Sequence, residues 1–510
     1  MPPSRTRFRS RSVTVTVAVA IAVAVLGPVA QPAAAAPATL PLTVANHSGR
    51  GSVHLYVIGV DLSSNRLGYV DAGGTFHPWS LPGSGAPVTA PDVSVDGPSE
   101  GGSTTLKIPR NVSGRVYFSY GKKLTFQLVS GGLVQPAPWN PSDPNADILF
   151  DWSEFTYTDS GLWINSSQVD QFAAPHEVSA TGSDGVTRST GAVVAGGRQQ
   201  IIDGVAALPG YQKTVVTGSD GTVLRVLAPG KATDLGLMSR TYLDPAIDKA
   251  WQTYASKTLT VEPYGAGLAS CRGRTQGGRL VFTDTAGQQV ASFAKPSTED
   301  VWDCDGALAA PNDATVGPIA RTLCAALHRG NLATQDVQPG GPSAVATFYR
   351  SEPANLYAKV IHAHMADGKA YGFAFDDVLE QESLVHSPSP VSAGMVLEPL
   401  GSGAVPDGAE PVDPSPGPAE SEPAEPEDIV TTGDESTVTL TADHPGCATL
   451  VLGEGTAPGL VTVAVDGGST STVAVSGPTT TRVDLSGSAG VHAVTITSTG
   501  ALGSARLELP

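Results

Sequence analysis

The sequence predicts a mainly β protein with an α/β part: a β-barrel lobe, a mixed α/β lobe inserted into or beside it, a linker, and a small C-terminal β-sandwich. Three observations predict it. The 510 residues include 58 glycines and 41 prolines, enough for the many tight turns of a β-rich chain. Strand-like runs fill about 40–185 and return at about 344–400, whereas helical periodicity is confined to about 186–343. Beyond Phe8, every Phe, Trp and Tyr lies between Tyr56 and Phe375, so the large core and stacking side chains belong to that body and none to the tail.

Composition narrows the function classes. Apolar residues at 40% and charged residues at 15% exclude a disordered chain or a coiled coil. The 30 basic and 48 acidic residues leave a net charge of −18, which disfavours nucleic acid as a partner, whereas a neutral polysaccharide is indifferent to it.

Along the chain, Arg5, Arg7, Arg9 and Arg11 precede an apolar run from Val13 to Leu26 and a small-residue stretch from Ala33 to Ala38. That is the pattern of a secretory signal peptide over residues 1–36, and it predicts a secreted, extracellular protein with no membrane association. An oxidising compartment suits Cys271, Cys304, Cys324 and Cys447, which allow three pairings. Cys271 with Cys304 is the expected bridge, and Cys447 is expected to remain free. The body spans 37–400. Within it, helical patterns occupy Gln199–Ala207, Pro245–Ser256 and Val316–His328, and strand patterns return at Ala344–Phe348 and Tyr371–Asp377.

Residues 401–433 turn to Pro, Glu, Asp, Ser and Ala without a basic or aromatic side chain, which reads as an extended linker. From 434 to 510 short β-branched runs alternate with turns, which predicts the sandwich. Having no aromatic platform for a sugar ring, this module reads as a spacer or wall-associating element rather than a carbohydrate-binding one. A monomer is expected.

The chemistry concentrates in Asp147 to Asp170. A period of two from Ile148 to Tyr157 puts Ile148, Phe150, Trp152, Glu154 and Thr156 on one face of a strand. Asp159-Ser160 is a turn signal, so Leu162 to Ser166 returns as the partner strand with Glu154 across from about Asn165. A straight continuation would leave Asp170 roughly 16 Å from Glu154. The chain must therefore bend near Asn165–Ser167 for the two acids to share one bond. In Tyr371–Asp377 the same alternation sets Asp376 opposite the aromatic face and makes it a groove acid, with a structural aspartate bonding a loop amide as an equal alternative. Thr156 and Trp163 are candidate sugar contacts, together with Trp152. His362-Ala363-His364 alternates as a strand pair would but lacks a third ligand, and neither metal nor cofactor is expected.

DPNADILFDWSEFTY (143–157) with Val169-Asp170 resembles glycoside hydrolase family 64, the bacterial β-1,3-glucanases of thaumatin-like architecture. Further segments resemble the same family in order: LYVIGVDLSSNRLGYVDAGGTFHPW (55–79), GGRQQIIDGVAALPGY (196–211), RVLAPG (225–230), FAKPSTEDVWDCDGALAAPND (293–313) and GKAYGFAFDDV (368–378). Together they cover about 40–400.

The resemblance implies a thaumatin-like barrel lobe beside a mixed lobe, with a wide groove between them. It also implies inverting hydrolysis of β-1,3-glucan of the laminarin or curdlan type to short oligosaccharides such as laminaripentaose, with Glu154 as general acid and Asp170 as general base. Asp170 would supply the negative charge that keeps Glu154 protonated. The rival implication is a non-catalytic thaumatin-like protein that grips β-1,3-glucan or a cell wall.

Overall fold

A computed structural model describes residues 36–401, except 84, 85, 266 and 268, and beyond them the backbone of seven strands between 437 and 508. The expected signal segment and the expected linker lie outside the described residues, apart from Ala36 and Gly401. The chain divides into two compact units, 1–407 and 408–510.

The first unit is built on two large sheets. Thr39–Asn46 alternates strictly, with Leu40, Leu42 and Val44 buried. It is central in a five-stranded sheet ordered Thr187–Thr190, His176–Gly182, Pro390–Leu397, Thr39–Asn46, Ser103–Pro109. An eight-stranded sheet runs Leu384–Ser387, Gly161–Ser166, Phe150–Thr158, Val112–Tyr120, Val53–Asp61, Arg66–Val70, Phe76–Pro78, with Val95–Asp96 paired to Val53–Asp61. Leu42, Val44, Met395 and Leu397 from the first sheet share one core with Leu55, Val116, Phe118, Phe155 and Ile164 from the second. The expected β-barrel is thereby corrected. Each sheet buries its apolar face on the other, the edge strands stay unjoined, and no closed barrel occurs among the described residues. The outer face of the larger sheet carries a second core, where Tyr56, Tyr117, Phe150 and Trp152 lie under Leu124, Phe126 and Leu128.

The mixed part carries two more cores. One gathers α1 (Gly197–Ala206), α2 (Pro229–Asp234), Val223–Leu227 and α6 (Leu356–His364). The other gathers α3 (Asp244–Ser256), α5 (Val316–His328) and a five-stranded sheet that includes Cys271–Gln276. Also in the second core, α4 (Thr298–Asp303) starts at a capping box: Asp300 N–H donates to Ser297 Oγ at 3.0 Å and Ser297 N–H to the Asp300 carboxylate at 2.9 Å.

The helices foreseen at Gln199–Ala207, Pro245–Ser256 and Val316–His328 agree with α1, α3 and α5 to within two residues. The strands foreseen later do not form. Ala344–Phe348 falls in a 3₁₀ segment, Pro342–Thr347, and Tyr371–Asp377 is a run of turns with one bridge, Ser167 to Tyr371. Short apolar runs do not tell strand from buried turn by periodicity alone. Consequently the chain re-enters the first two sheets at Leu384 rather than at 344. His362 and His364 sit on α6, where two residues apart are not on one face.

The disulfide joins Cys304, at the C-terminal end of α4, to Cys324 on α5. This corrects the Cys271–Cys304 expectation: Cys271 lies on a sheet strand as a free, buried thiol, while the adjoining ends of α4 and the middle of α5 bring the other two together. In the second unit the described strands form sheets of four and three, all antiparallel. No helix among the described residues is long and apolar enough to cross a membrane.

Closing a loop of sequence separation 20 removes denatured-state entropy, so replacing Cys304 and Cys324 together by Ala is expected to cost about 3 kcal/mol in urea unfolding. The same replacement of Cys271 is expected to cost less than half of that.

Candidate active site

The hairpin that carries the candidate site forms as its sequence dictates. Thr158 pairs with Gly161 around Asp159-Ser160, and the register then sets Glu154 opposite Asn165. Gly161 is required there: its φ is 119°, and a Cβ would strike the Ser387 carbonyl. On the other side Glu154 pairs with Arg115 of Val112–Tyr120. Residues directly paired share a face, so Arg115, Glu154 and Asn165 form one row. Ser113, Thr156, Trp163 and His386 form the next.

After Ser166 the chain turns, as the two-acid reading required. Ser167 bridges to Tyr371, and Gln168 exchanges bonds with the same residue, its N–H donating to the Tyr371 carbonyl and its Oε1 accepting from Tyr371 N–H, each at 2.9 Å. The turn returns Asp170 to Glu154. One guanidinium nitrogen of Arg115 lies 2.9 Å from Glu154 Oε1 and 3.6 Å from Asp170 Oδ2. These two oxygens are therefore no more than about 6.5 Å apart, at or below the short end of the roughly 6.5–9.5 Å over which inverting acid pairs are spaced, with the Arg115 nitrogen within 3.6 Å of both. Lys231 of α2 reaches Asp170 Oδ1 at 3.3 Å, so the mixed part of the fold completes the site.

Both cations are themselves fixed. The Arg115 guanidinium lies 4.6 Å over the Trp152 ring and donates to Gln135 Oε1 at 3.1 Å, and Tyr117 Oη donates to the same oxygen. Burial by itself lowers the Arg115 pKa; the Tyr117 hydroxyl and the Glu154 and Asp170 carboxylates outweigh it, so the group stands above its ordinary value. Lys231 sits 4.7 Å from the Trp139 ring and is raised chiefly by the Asp170 charge. At the end of α4, Asp303 is pushed up to about 6 by burial.

The remaining sequence candidates divide. Trp163 is partly exposed and stacks on His386 with ring centres 4.3 Å apart, so a surface is open at that position. Thr156 is nearly buried, its Oγ1 bonded to Ser113 Oγ at 2.8 Å. Trp152 is 1% exposed, which corrects its assignment as a sugar contact: the face was foreseen, but the outer core covers it, and its ring supports Arg115. Asp376 is also corrected. It is fully buried and bonds Arg329 at 2.9 Å, His362 Nε2 at 2.9 Å and Gly372 N–H at 3.1 Å, so it is a structural aspartate holding a loop amide.

The sequence reading also missed Arg115 and Lys231. Arg115 stands alone as a charge in VSGRVYFSY, a mid-strand cation that requires a partner, and Lys231 follows RVLAPG by one residue. Arg115 further alters the expected electrostatics, since a cation stands between Glu154 and the negative charge expected to act on it. The triad Cys304, Cys324 and His328 has metal-like proximity, but the two sulfurs are bonded to each other and His328 Nε2 is bonded to the Val301 carbonyl at 2.7 Å.

Residues 38–397 match the family model described as β-1,3-glucanase. The chain is 44% identical over 382 residues to a glucan endo-1,3-beta-glucosidase of Arthrobacter sp. (strain YCWD3), an alignment covering 74% of this chain and 68% of that one. It matches the enzyme of the same name from Cellulosimicrobium cellulans at the same identity and coverage. Among solved structures it resembles a laminaripentaose-producing β-1,3-glucanase in complex with laminaritetraose, at TM-score 0.68 and 48% identity over 71% of this chain and 99% of that one. A β-1,3-glucanase domain from Clostridium beijerinckii is similar at TM-score 0.59 and 26% identity, covering 71% of this chain and 98% of that one.

Burial alone would raise Asp376, but His362 and Arg329 hold it below the usual carboxylate range; burial alone would lower His362, but Asp376 raises it above 6.5. The His362 contribution to stability is complete below 6.5 and is lost as pH rises through the raised value. The Asp376 contribution is complete above 3.8 and is lost as pH falls through the lowered one. Asp376→Asn is expected to cost about 3–5 kcal/mol in urea unfolding at pH 6. His362→Gln is expected to flatten the alkaline decline in stability across a series of such measurements.

Proposed function

Because the chain belongs to glycoside hydrolase family 64, the β-1,3-glucanases, we propose that it is a secreted endo-acting enzyme that inverts the anomeric centre of laminarin- or curdlan-type β-1,3-glucan. The observation that carries the catalytic assignment is the convergence of Glu154 and Asp170 on Arg115. A protein that only gripped glucan has no need of two carboxylates brought sixteen residues back to one cation.

In this reading Glu154 gives its proton to the leaving glycosidic oxygen while Asp170 takes one from a water attacking the opposite face of the ring. The cations support this order of roles. Asp170 faces both Lys231 and Arg115, whereas Glu154 shares Arg115 alone, which suits Asp170 to be the charged partner. Arg115 also keeps the two acids from closing directly on each other. As Glu154 loses its proton and Asp170 gains one, the pair exchanges charge around a fixed guanidinium, so little rearrangement is required at the moment of reaction. Trp163 with His386 provides a stacking surface one row from Glu154.

Laminaripentaose as the main product is supported by the 48% identity to a structure of a pentaose-producing enzyme. The thaumatin-like relationship and the sandwich form of the C-terminal module belong to the same proposal, as does action as a monomer.

Glu154→Gln and Asp170→Asn are each expected to lower kcat by roughly 10²–10⁴-fold while laminarin binding persists. The wild-type rate is expected to follow a bell in pH. Newly released oligosaccharide, followed by NMR, is expected to carry the α anomer first. A β anomer would replace inversion by retention, and binding without release of reducing sugar would place the chain among non-catalytic glucan binders.

A further inference from the structure

Three residues before Glu154, on the opposite face of the same strand, Asp151 is 1% exposed. Its Oδ2 accepts the backbone N–H groups of Ala173 at 2.9 Å and Ala174 at 3.0 Å. Its Oδ1 accepts the N–H of Trp152 at 3.1 Å and faces Gln171 Nε2 at 3.5 Å. The segment it holds, 171–174, is the chain leaving Asp170. Arg198 of α1 holds that segment from its other side, donating to the Ala173 carbonyl at 2.7 Å. A carboxyl at this depth is costly to keep, and burial pushes it up to about 7 in spite of its donors.

Every donor on Asp151 belongs either to the strand of one catalytic acid or to the segment that carries the other. From this placement we infer that Asp151 is a positioning residue for the reaction, a buried carboxylate that locks the Asp170 segment to the Glu154 strand and so sets the spacing of the two acids. It touches neither substrate nor the reacting atoms. Its action is geometric: two N–H bonds fix Ala173 and Ala174 relative to Trp152, and Asp170 is three residues from the first of them.

An asparagine keeps the shape but presents an NH₂ group to one of the two sets of N–H donors, so one side of the grip is lost. A displacement of about 1 Å at a catalytic group costs as much as 10²-fold in rate, without a matching loss of ground-state binding.

The inference rests on the proposed hydrolysis, and the wild-type enzyme tests that separately: no release of sugar from laminarin by wild type would fail the function itself. With wild type active, Asp151→Asn is expected to lower kcat by about 10–100-fold with KM changed less than about twofold. Tyr254→Phe serves as the comparison. It removes a buried hydroxyl that donates to the Gln335 carbonyl at 3.2 Å in a different core, and it is expected to lower stability while kcat is unchanged. Asp151→Glu, which keeps the carboxylate but moves it by one methylene, is the second variant and is expected to show the same split. Wild-type kcat in whichever Asp151 variant folds, or a kcat loss no larger than that of Tyr254→Phe, overturns the inference.

Discussion

Arg115 is the group on which the rest of the site depends. Its planar fork meets Glu154, Asp170 and Gln135 at once while its flat face rests on Trp152. A lysine in that place would offer one point of charge and no plane. The arrangement works only because the strand register is right: Arg115 faces Glu154 on one side of the strand, and Glu154 faces Asn165 on the other. A slip of one residue in either pairing would turn Glu154 into the core and Asp151 out of it.

The fold protects that register from two sides. Val116, Phe118, Phe155 and Tyr157 anchor one face of these strands against the five-stranded sheet, while Tyr117, Phe150 and Trp152 anchor the other beneath Leu124, Phe126 and Leu128. Central strands buried on both faces have little freedom to slide. The acidic pair sits where this rigid sheet meets α2, so a hard platform supplies one acid and its cation, and the mixed part supplies Lys231 to the other.

Most of this platform was legible in the sequence because its information is local. Strict alternation and a two-residue turn place Glu154 and Asn165 correctly, whereas the return of Asp170 was foreseen only as the condition for two acids to share one bond. What alternation does not carry is whether a face is open or covered, and that is why Trp152 was assigned to the groove. Asp376 failed for a related reason. Its segment borrows the look of a strand, but its conformation comes from a buried arginine and histidine 47 and 14 residues away in the chain. The disulfide was beyond reach on the same ground, since spacing states which cysteines exist and tertiary packing decides which meet.

The attachment of Asp170 carries one more consequence. Its segment is held by Asp151 from the sheet, by Arg198 and Tyr357 from two helices, and by Ala228 through the backbone, so it is pinned between the core of the two sheets and the core of α1, α2 and α6. Partial opening between those cores would release the segment while the sheets stayed intact. Heat inactivation of this chain should therefore be a hinge event, in which turnover fades while the circular-dichroism signal of the sheets still reads as native.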